Sequence, residues 1–166
     1  SVSASVNKDT TGPVVSVPAD ITVDAASADG TPSSNAAIAA FLQGATANDA
    51  TDGSVSVTND APSVFQIGAT TVTFSASDVL GNVGSNSAVV TVDDQSPPVV
   101  TAPAATTVAA TDANGTAKTD AAIVAFLDSV SALDNVDGAI SGSQIGNDAP
   151  DVFPIGETTV TFSIMD

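Results

Sequence analysis

The amino-acid sequence contains one pattern twice, and this duplication is the strongest constraint on how the chain can fold. The Pro-Val-Val at residues 13–15 recurs at residues 98–100, and the apolar block at residues 36–42 recurs at residues 121–127 with the same spacing. Repeats of this size are typical of tandem domains that share one fold. The sequence therefore predicts two copies of one small structural unit.

A chain of 166 residues has room for two such units, each near the lower size limit for folding alone. We predict a first domain at residues 9–94 and a second at residues 95–166, with a separate segment before them at residues 1–8. The last apolar strand of copy one, at residues 87–92, has no counterpart in copy two. We therefore expect the second domain to be incomplete.

Short runs rich in Val, Thr and Ile alternate with clusters of Gly, Pro, Asn and Asp, a pattern typical of strands in an antiparallel sandwich. Between residues 70 and 77 the period of two places Val72, Phe74 and Ala76 on one face. We expect copy two to repeat every strand of copy one except the last. The strands predicted for copy one are 14–17, 21–24, 54–58, 63–66, 70–77 and 87–92.

One segment in each copy departs from the strand pattern and predicts a short helix. Asn35 and Asp120 each precede an Ala-Ala-Ile run, and both residue types accept hydrogen bonds from the free backbone amides at a helix start. The apolar residues that follow, among them Phe41 and Phe126, recur at helical spacing. We expect each helix to cover the core of its domain.

The charge balance excludes several classes of partner. Two lysines, Lys8 and Lys118, stand against nineteen carboxylates, so the formal net charge is −17. Two lysines cannot build the phosphate contacts or the polybasic patch that bind nucleic acid or anionic lipid, and the negative field repels both. No apolar run reaches the length of about 18 residues that a membrane span needs.

The composition also argues against catalysis. The chain contains no His, Cys, Tyr, Trp or Arg. A nucleophile with its base, or a pair of carboxylates with the groups that bind a substrate, therefore has little material from which to be built. We expect a protein that is not an enzyme.

Calcium is the chemistry that the sequence favours, because this cation takes six to eight oxygen ligands from carboxylates, amides and carbonyls. An Asp-x-x-Asp-Gly loop stands at residues 49–53 and in similar form at residues 134–138. The alternative is a simple Asx turn, in which each Asp accepts only its own backbone amides. A second predicted site joins the linker carboxylates to Asp20, Asp78 or Asp166. The predicted calcium ligands are Asp49, Asp52, Asp134, Asn135, Asp137, Asp78, Asn82, Asp93, Asp94 and Asp9.

Several motifs resemble hyalin repeats, the immunoglobulin-like modules found in tandem in extracellular adhesion and matrix proteins. The matching motifs are the Asp-x-x-Asp-Gly loop, Phe-x-Ile-Gly-x-Thr-Thr-Val-Thr-Phe in both copies, and Asp-x-x-Gly-Asn at residues 78–82. This chain departs from the repeat pattern by its lack of cysteines and by its inserted helices. The resemblance implies immunoglobulin-like domains that act as a spacer or binding module. Together with the strand and helix patterns, we expect an all-β fold of two tandem immunoglobulin-like antiparallel β-sandwiches, each with one short inserted helix, the second lacking its last strand.

The segment at residues 1–6 alternates apolar and polar residues like a strand and belongs to neither copy. A sandwich without its last strand exposes unpaired backbone groups and an apolar groove that accept a strand from elsewhere. We expect this segment of one chain to complete the second domain of the next chain, a heterologous contact that propagates into filaments. The apolar residues of this donor strand are Val2, Ala4 and Val6.

The sequence thus predicts a calcium-stabilised structural subunit of an extracellular filament, whose partners are copies of itself, with contacts to a cell surface or matrix. One alternative is a spacer fragment of a large tandem-repeat adhesin or matrix protein, because a window cut from a repeat array shows the same permutation. A stand-alone binding module is the third interpretation.

Overall fold

The computed structural model describes residues 8–165, and the chain divides into two compact units, Ser1–Asp94 and Gln95–Asp166. The elements of unit 1 are β1 (Val14–Ser16), β2 (Ile21–Asp24), β3 (Thr31–Pro32), α1 (Ala36–Gln43), β4 (Thr46–Asp49), β5 (Gly53–Val55), β6 (Val57–Asn59), β7 (Val64–Phe65), β8 (Gly68–Ser77) and β9 (Val83–Asp93). The elements of unit 2 are β10 (Val99–Thr101), β11 (Thr116–Ala117), α2 (Ala121–Asp128), β12 (Ser131–Asp134), β13 (Gly138–Ile140), a 3₁₀ turn (Gly142–Gln144), β14 (Gly146–Asn147), β15 (Val152–Phe153) and β16 (Phe162–Ser163).

Unit 1 contains a three-stranded sheet of order β1-β4-β5, a four-stranded sheet of order β2-β9-β8-β6 and the short pair β3-β7. Strand β1 contacts β8 and β9, so the two larger sheets share one apolar core. The period of two in β8 buries Val72, Phe74 and Ala76, as predicted. With only two short helices in the described chain, the all-β prediction is confirmed.

Helix α1 begins where the sequence predicts it. The side chain of Asn35 accepts hydrogen bonds from the amides of Ala37 at 3.0 Å and Ile38 at 3.4 Å. These bonds satisfy amides that have no partner inside the helix. Phe41 meets Phe74 of β8 edge to face, with ring centroids 5.7 Å apart. The helix therefore covers the core of unit 1.

Helix α2 repeats this arrangement in unit 2. Asp120 accepts a hydrogen bond of 2.9 Å from the amide of Ala122. Phe126 meets Phe162 edge to face at 6.3 Å. Both predicted helices are confirmed, and across residues 8–165 no helix is long and apolar enough to cross a membrane.

One ladder of unit 1 differs from the antiparallel prediction. Strand β2 runs parallel to β9, with Ile21 opposite Val90 and Val23 opposite Val92. Parallel neighbours need a long crossover between them, and here the chain passes through α1 and the other sheet before β9 returns beside β2. Strand β9 is therefore held on both sides, by β2 and by β8.

The strand predicted at residues 54–58 is instead two strands, β5 and β6. Strand β5 pairs with β4, whereas β6 pairs with β8 in the other sheet. The chain changes sheets at Ser56, and this change interrupts the strand. Local alternation alone does not reveal such a transfer, because both halves keep an extended backbone.

Unit 2 contains the three-stranded sheet β10-β12-β13 and the pairs β11-β15 and β14-β16. The prediction that copy two repeats all strands but the last was wrong in two places. Within residues 95–165 no strand forms at 106–109, the counterpart of β2, and only Phe162–Ser163 remains of the counterpart of β8. In unit 1 both of these segments pair with β9, so their regularity in that unit depends on a central strand between them.

Candidate functional site

Three aspartates from separate parts of unit 1 meet at one point, and we call Asp9, Asp49 and Asp78 the acidic cluster. Asp9 lies in the linker before β1, Asp49 ends β4, and Asp78 follows β8. One carboxylate oxygen from each lies within 4.8 Å of the other two. Among the described residues this is the group whose spacing suits a metal ion.

Asp49 is held by the turn that follows β4. Its Oδ1 accepts hydrogen bonds from the amides of Thr51 at 2.8 Å and Asp52 at 3.1 Å, which is the Asx turn considered as the alternative to a metal site. The residue is only 2% exposed, and its Oδ2 is buried with no hydrogen-bond partner in the part of the chain that the structure describes. The turn therefore accounts for one oxygen of this carboxylate and leaves the other unexplained.

Asn82 fixes the position of Asp78. Its amide donates to Asp78 Oδ1 at 2.7 Å, and its side-chain Nδ2 donates to Asp78 Oδ2 at 2.6 Å. The same Nδ2 lies 3.3 Å from the carbonyl oxygen of Asp9, to which it also donates. Asn82 thus links the turn after β8 to the linker, and it acts as a positioning residue beside the cluster.

The carboxylates of Asp9 and Asp78 are both stabilised in their charged form. Hydrogen bonds from the backbone and side chain of Thr11, together with the nearby Thr51 hydroxyl, lower the pKa of Asp9 to about 2. Burial raises the pKa of Asp78, but the hydrogen bonds from the side chain and backbone of Asn82 outweigh burial, so its pKa lies below the ordinary value. The cluster therefore concentrates negative charge at neutral pH.

The structure combines residues that the sequence assigned to two different calcium sites. Asp49 was predicted in the Asp-x-x-Asp-Gly loop, whereas Asp9 and Asp78 were predicted in a separate junction site. Asp52 of the same loop is directed elsewhere, because its Oδ2 accepts a hydrogen bond of 2.9 Å from the amide of Val79. Asp20 accepts from the amide of Val89 at 2.8 Å and is a strand contact outside the cluster.

The remaining predicted ligands are not members of this cluster. Asp93 is exposed at the end of β9, and Asp94 and Asn135 make interactions of their own. In unit 2, Asp134 Oδ1 accepts from the amides of Val136 and Asp137 as Asp49 does in its own turn. Asp134 Oδ2 is likewise buried without a hydrogen-bond partner among residues 8–165. Asp166 and the predicted donor-strand residues Val2, Ala4 and Val6 lie outside the described residues.

A long cavity of about 690 Å³ opens on unit 2, and we call it the strand groove. Its lining includes residues of the segment that corresponds to β2 and of the segment that corresponds to β8. Aromatic and aliphatic side chains from α2 and β15 also line it. Its principal lining residues are Thr106, Val108, Phe126, Phe153, Thr158 and Val160.

The strand groove lies where β9 lies in unit 1. Thr106 and Val108 are the repeat counterparts of Ile21 and Val23, the residues of β2 that face β9. Thr158 and Val160 are likewise the counterparts of Thr70 and Val72 of β8, which pair with Val90 and Ala88. The residues that line the groove are thus repeat counterparts of residues that flank β9 in unit 1.

Burial differs between the copies at this place. Phe65 and Val72 are fully buried in unit 1, whereas their counterparts Phe153 and Val160 remain partly exposed. Ala47 and its counterpart Ala132 are buried in both copies. Phe153 and Val160 both line the strand groove.

No family model matches the chain. It is 33% identical over 162 residues to hyalin of Strongylocentrotus purpuratus, an alignment that covers 95% of this chain and 13% of that protein. It is also 33% identical over 165 residues to hyalin of Lytechinus variegatus, covering 97% of this chain and 29% of that protein. The chain thus spans less than a third of either relative, and the likeness along nearly its whole length supports the resemblance to hyalin repeats.

Proposed function

We propose that the chain is a structural subunit of an extracellular filament, in which residues 1–6 of one copy dock as a strand in the strand groove of the next copy. The observation that carries this proposal is the groove of unit 2 at the place that β9 occupies in unit 1. The extracellular setting is supported by the similarity to two hyalins and by the resemblance to modules of adhesion and matrix proteins.

Strand β9 shows what the groove requires of its occupant. Ala88, Val90 and Val92 point into the core of unit 1 and are 4%, 0% and 1% exposed. A strand that fills the groove must likewise present three small apolar side chains at alternate positions. It must also run parallel to residues 106–109 and antiparallel to the segment that ends in β16, as β9 does with β2 and β8.

Residues 1–6 meet these requirements in sequence. Val2, Ala4 and Val6 have the same spacing as the three buried residues of β9 and are of similar size. With the two series aligned, Val6 pairs opposite Gly156, Ala4 opposite Thr158, and Val2 opposite Val160. Burial of each valine side chain contributes about 2 kcal/mol, and the backbone hydrogen bonds of a strand are added on both sides.

This contact leads to a polymer because donor and acceptor lie at different places in the chain. A heterologous contact of this kind repeats from copy to copy and produces a filament unless rotation closes a ring. The net charge of −17 opposes non-specific aggregation of such subunits.

The register can be tested with cysteines, because the chain has none of its own. In the proposed alignment Ser3 faces solvent opposite Thr159, as Val89 lies opposite Thr71 in unit 1. The variant with Ser3→Cys and Thr159→Cys should form a ladder of disulfide-linked chains on a non-reducing gel. The matched control, Ser5→Cys with Thr159→Cys, shifts the pairing by two residues and should cross-link far less. Equal cross-linking by both pairs, or by neither, would contradict the proposal.

Removal of residues 1–6 provides an independent test. The shortened chain should stay monomeric by light scattering, and a synthetic peptide of residues 1–8 should bind it and raise the melting temperature of unit 2. A peptide of residues 85–93 is the positive control, because it carries the sequence of β9. A peptide with Val2, Ala4 and Val6 all replaced by Ser is the negative control and should not bind.

The second candidate function is a spacer segment of a long tandem-repeat adhesin or matrix protein. The observation that favours it is that both relatives are several times longer than the aligned region. In that case the groove takes a strand from the same polypeptide. The 166-residue chain would then stay monomeric with or without residues 1–6, and the positive-control peptide alone would bind.

A further inference from the structure

We propose that Asp9, Asp49 and Asp78 form a calcium-binding site in unit 1, which fastens the linker before β1 to the body of the unit. All three residues belong to unit 1, so nothing in this inference depends on strand docking. The two proposals can therefore fail separately.

The spacing of the carboxylates fits a single ion. Ligand oxygens lie about 2.3–2.6 Å from Ca²⁺, so two oxygens on the same ion are at most about 5 Å apart. One oxygen from each aspartate lies within 4.8 Å of the other two. The three carboxylates come from the linker, the end of β4 and the turn after β8. The fold thus places their oxygens at the distance from one another that a shared cation needs.

A second and independent observation points to a ligand at this place. Asp49 is 2% exposed, and its Oδ2 is buried with no hydrogen-bond donor among the described residues. Asp9 Oδ2 is also buried without a donor within residues 8–165. Buried carboxylate oxygens are ordinarily paired with donors or bound to metals, because burying a charge without compensation is strongly unfavourable. A cation between the carboxylates satisfies both oxygens at once.

Within residues 8–165 neither lysine is paired with the acidic cluster. The two lysines are the only basic side chains of the protein. The Lys118 ammonium donates to Asn147 and Ala149 in unit 2, and the Lys8 side chain is exposed. Thr11 donates to Asp9 Oδ1, and Asn82 donates to Asp78 Oδ2. These bonds orient Asp9 and Asp78 but leave Asp9 Oδ2 without a donor among the described residues.

The donor set selects the kind of ion. All available ligands are oxygens, and the chain has no Cys or His with which to favour zinc or copper. Magnesium demands near-ideal octahedral geometry and gives up its waters reluctantly, whereas calcium accepts irregular sets of carboxylates, carbonyls and waters. Calcium is therefore the divalent ion that this cluster fits.

The site has a structural consequence for the linker. Asp9 stands between the predicted donor strand and β1, and it is the cluster member that does not belong to the sheet-forming body of unit 1. Binding of calcium to Asp9 together with Asp49 and Asp78 cross-links this segment to two turns. We therefore expect calcium to raise the thermal stability of unit 1 and to order the backbone around Thr11.

Calorimetry measures the binding of Ca²⁺ to the whole chain. The buffer contains physiological salt and excess Mg²⁺, which suppresses diffuse counter-ion effects. Asp49→Asn and Asp9→Asn should each lower calcium affinity by about tenfold or more and abolish the calcium-dependent rise in melting temperature. Asp29→Asn removes the same charge from an exposed position of unit 1 and should leave binding unchanged. Asp134→Asn removes the corresponding carboxylate of unit 2 and should leave the unit 1 site intact.

Amide resonances locate the ion. On titration with calcium, the NMR signals of Thr11, Thr51 and Asn82 should shift in the wild type and in Asp29→Asn, but not in Asp9→Asn. If Asp49→Asn fails to fold, Asp9→Asn still decides the matter, because Asp9 is a half-buried linker residue outside both sheets. Absence of calcium binding by the wild type, or wild-type affinity in Asp9→Asn, would overturn the proposal.

Discussion

The carbonyl oxygen of Pro13 lies directly against the α-carbon of Gly84, where a β-carbon would stand only 1.7 Å from it. Gly12 approaches the carbonyl of Val83 in a similar way, at 2.5 Å from its own β-carbon position. The linker therefore packs on the beginning of β9 through backbone contacts that any side chain would block. This contact brings Asp9 to the acidic cluster.

Gly84→Ala should push the linker away from β9 and destabilise unit 1 by about 1–3 kcal/mol, because the added methyl would overlap the carbonyl group of Pro13. Urea denaturation measures the loss. The matched control is Ser85→Ala at the next, exposed position, which should change stability little. A Gly84→Ala variant as stable as the wild type would show that the linker contact is weak.

Asn35→Ala should cost about 1 kcal/mol of unit 1 stability, because Asn35 accepts from two amides at the start of α1 that would otherwise lack partners. Asn35→Asp should retain nearly all the stability, since Asp120 performs the same role for α2. Thermal unfolding of the three proteins tests this prediction. Equal losses in both variants would point to a role of Asn35 other than capping.

The same position of the repeat can be truncated in both units, by Val72→Ala beside the central strand β9 and by Val160→Ala where residues 95–165 contain no such strand. Val72 is 0% exposed, so its truncation should cost about 2 kcal/mol, whereas Val160 lines the strand groove and should cost about half as much or less. The comparison is made by urea denaturation of the chain without residues 1–6. Addition of the peptide of residues 85–93 should then increase the cost of Val160→Ala and leave that of Val72→Ala unchanged.

Acidification should weaken unit 2 through Asp148. The amide of Thr161 donates to Asp148 Oδ1 at 2.6 Å, and this bond holds the pKa of Asp148 below its ordinary value. The carboxylate therefore stabilises the folded state above the unfolded pKa of about 4, and this stabilisation is lost as the pH falls through the lower folded pKa.

In Asp148→Asn the difference in unfolding free energy from the wild type should shrink as the pH is lowered from 6 toward about 3. Chemical denaturation at several pH values measures it. Asp151→Asn removes a neighbouring exposed charge and serves to subtract the general effect of one less carboxylate. A constant difference across this range would show that the Thr161 bond does not depend on the charge.

Local features of the sequence were sufficient for much of the fold. The side chains of Asn35 and Asp120 mark helix starts because capping involves only the next few amides. The period of two in β8 identifies Val72, Phe74 and Ala76 as core residues because it depends on pleating alone. Contacts between segments far apart in the chain could not be predicted from such local features. The parallel pairing of β2 with β9 and the change of sheet at Ser56 both depend on which strands meet in space.

The same distinction between local and long-range features applies to the candidate site. The sequence by itself determined that the chain is a duplicated, strongly acidic all-β protein. It also indicated that Asp49 begins a turn and that the last apolar strand of copy one has no counterpart in copy two. Only the tertiary structure decided that Asp49 meets Asp9 and Asp78, and that the strand groove lies between the counterparts of β2 and β8. The reason is that periodicity and turn chemistry act within a few residues, whereas convergence of carboxylates and exposure of a groove depend on packing between segments far apart in the chain.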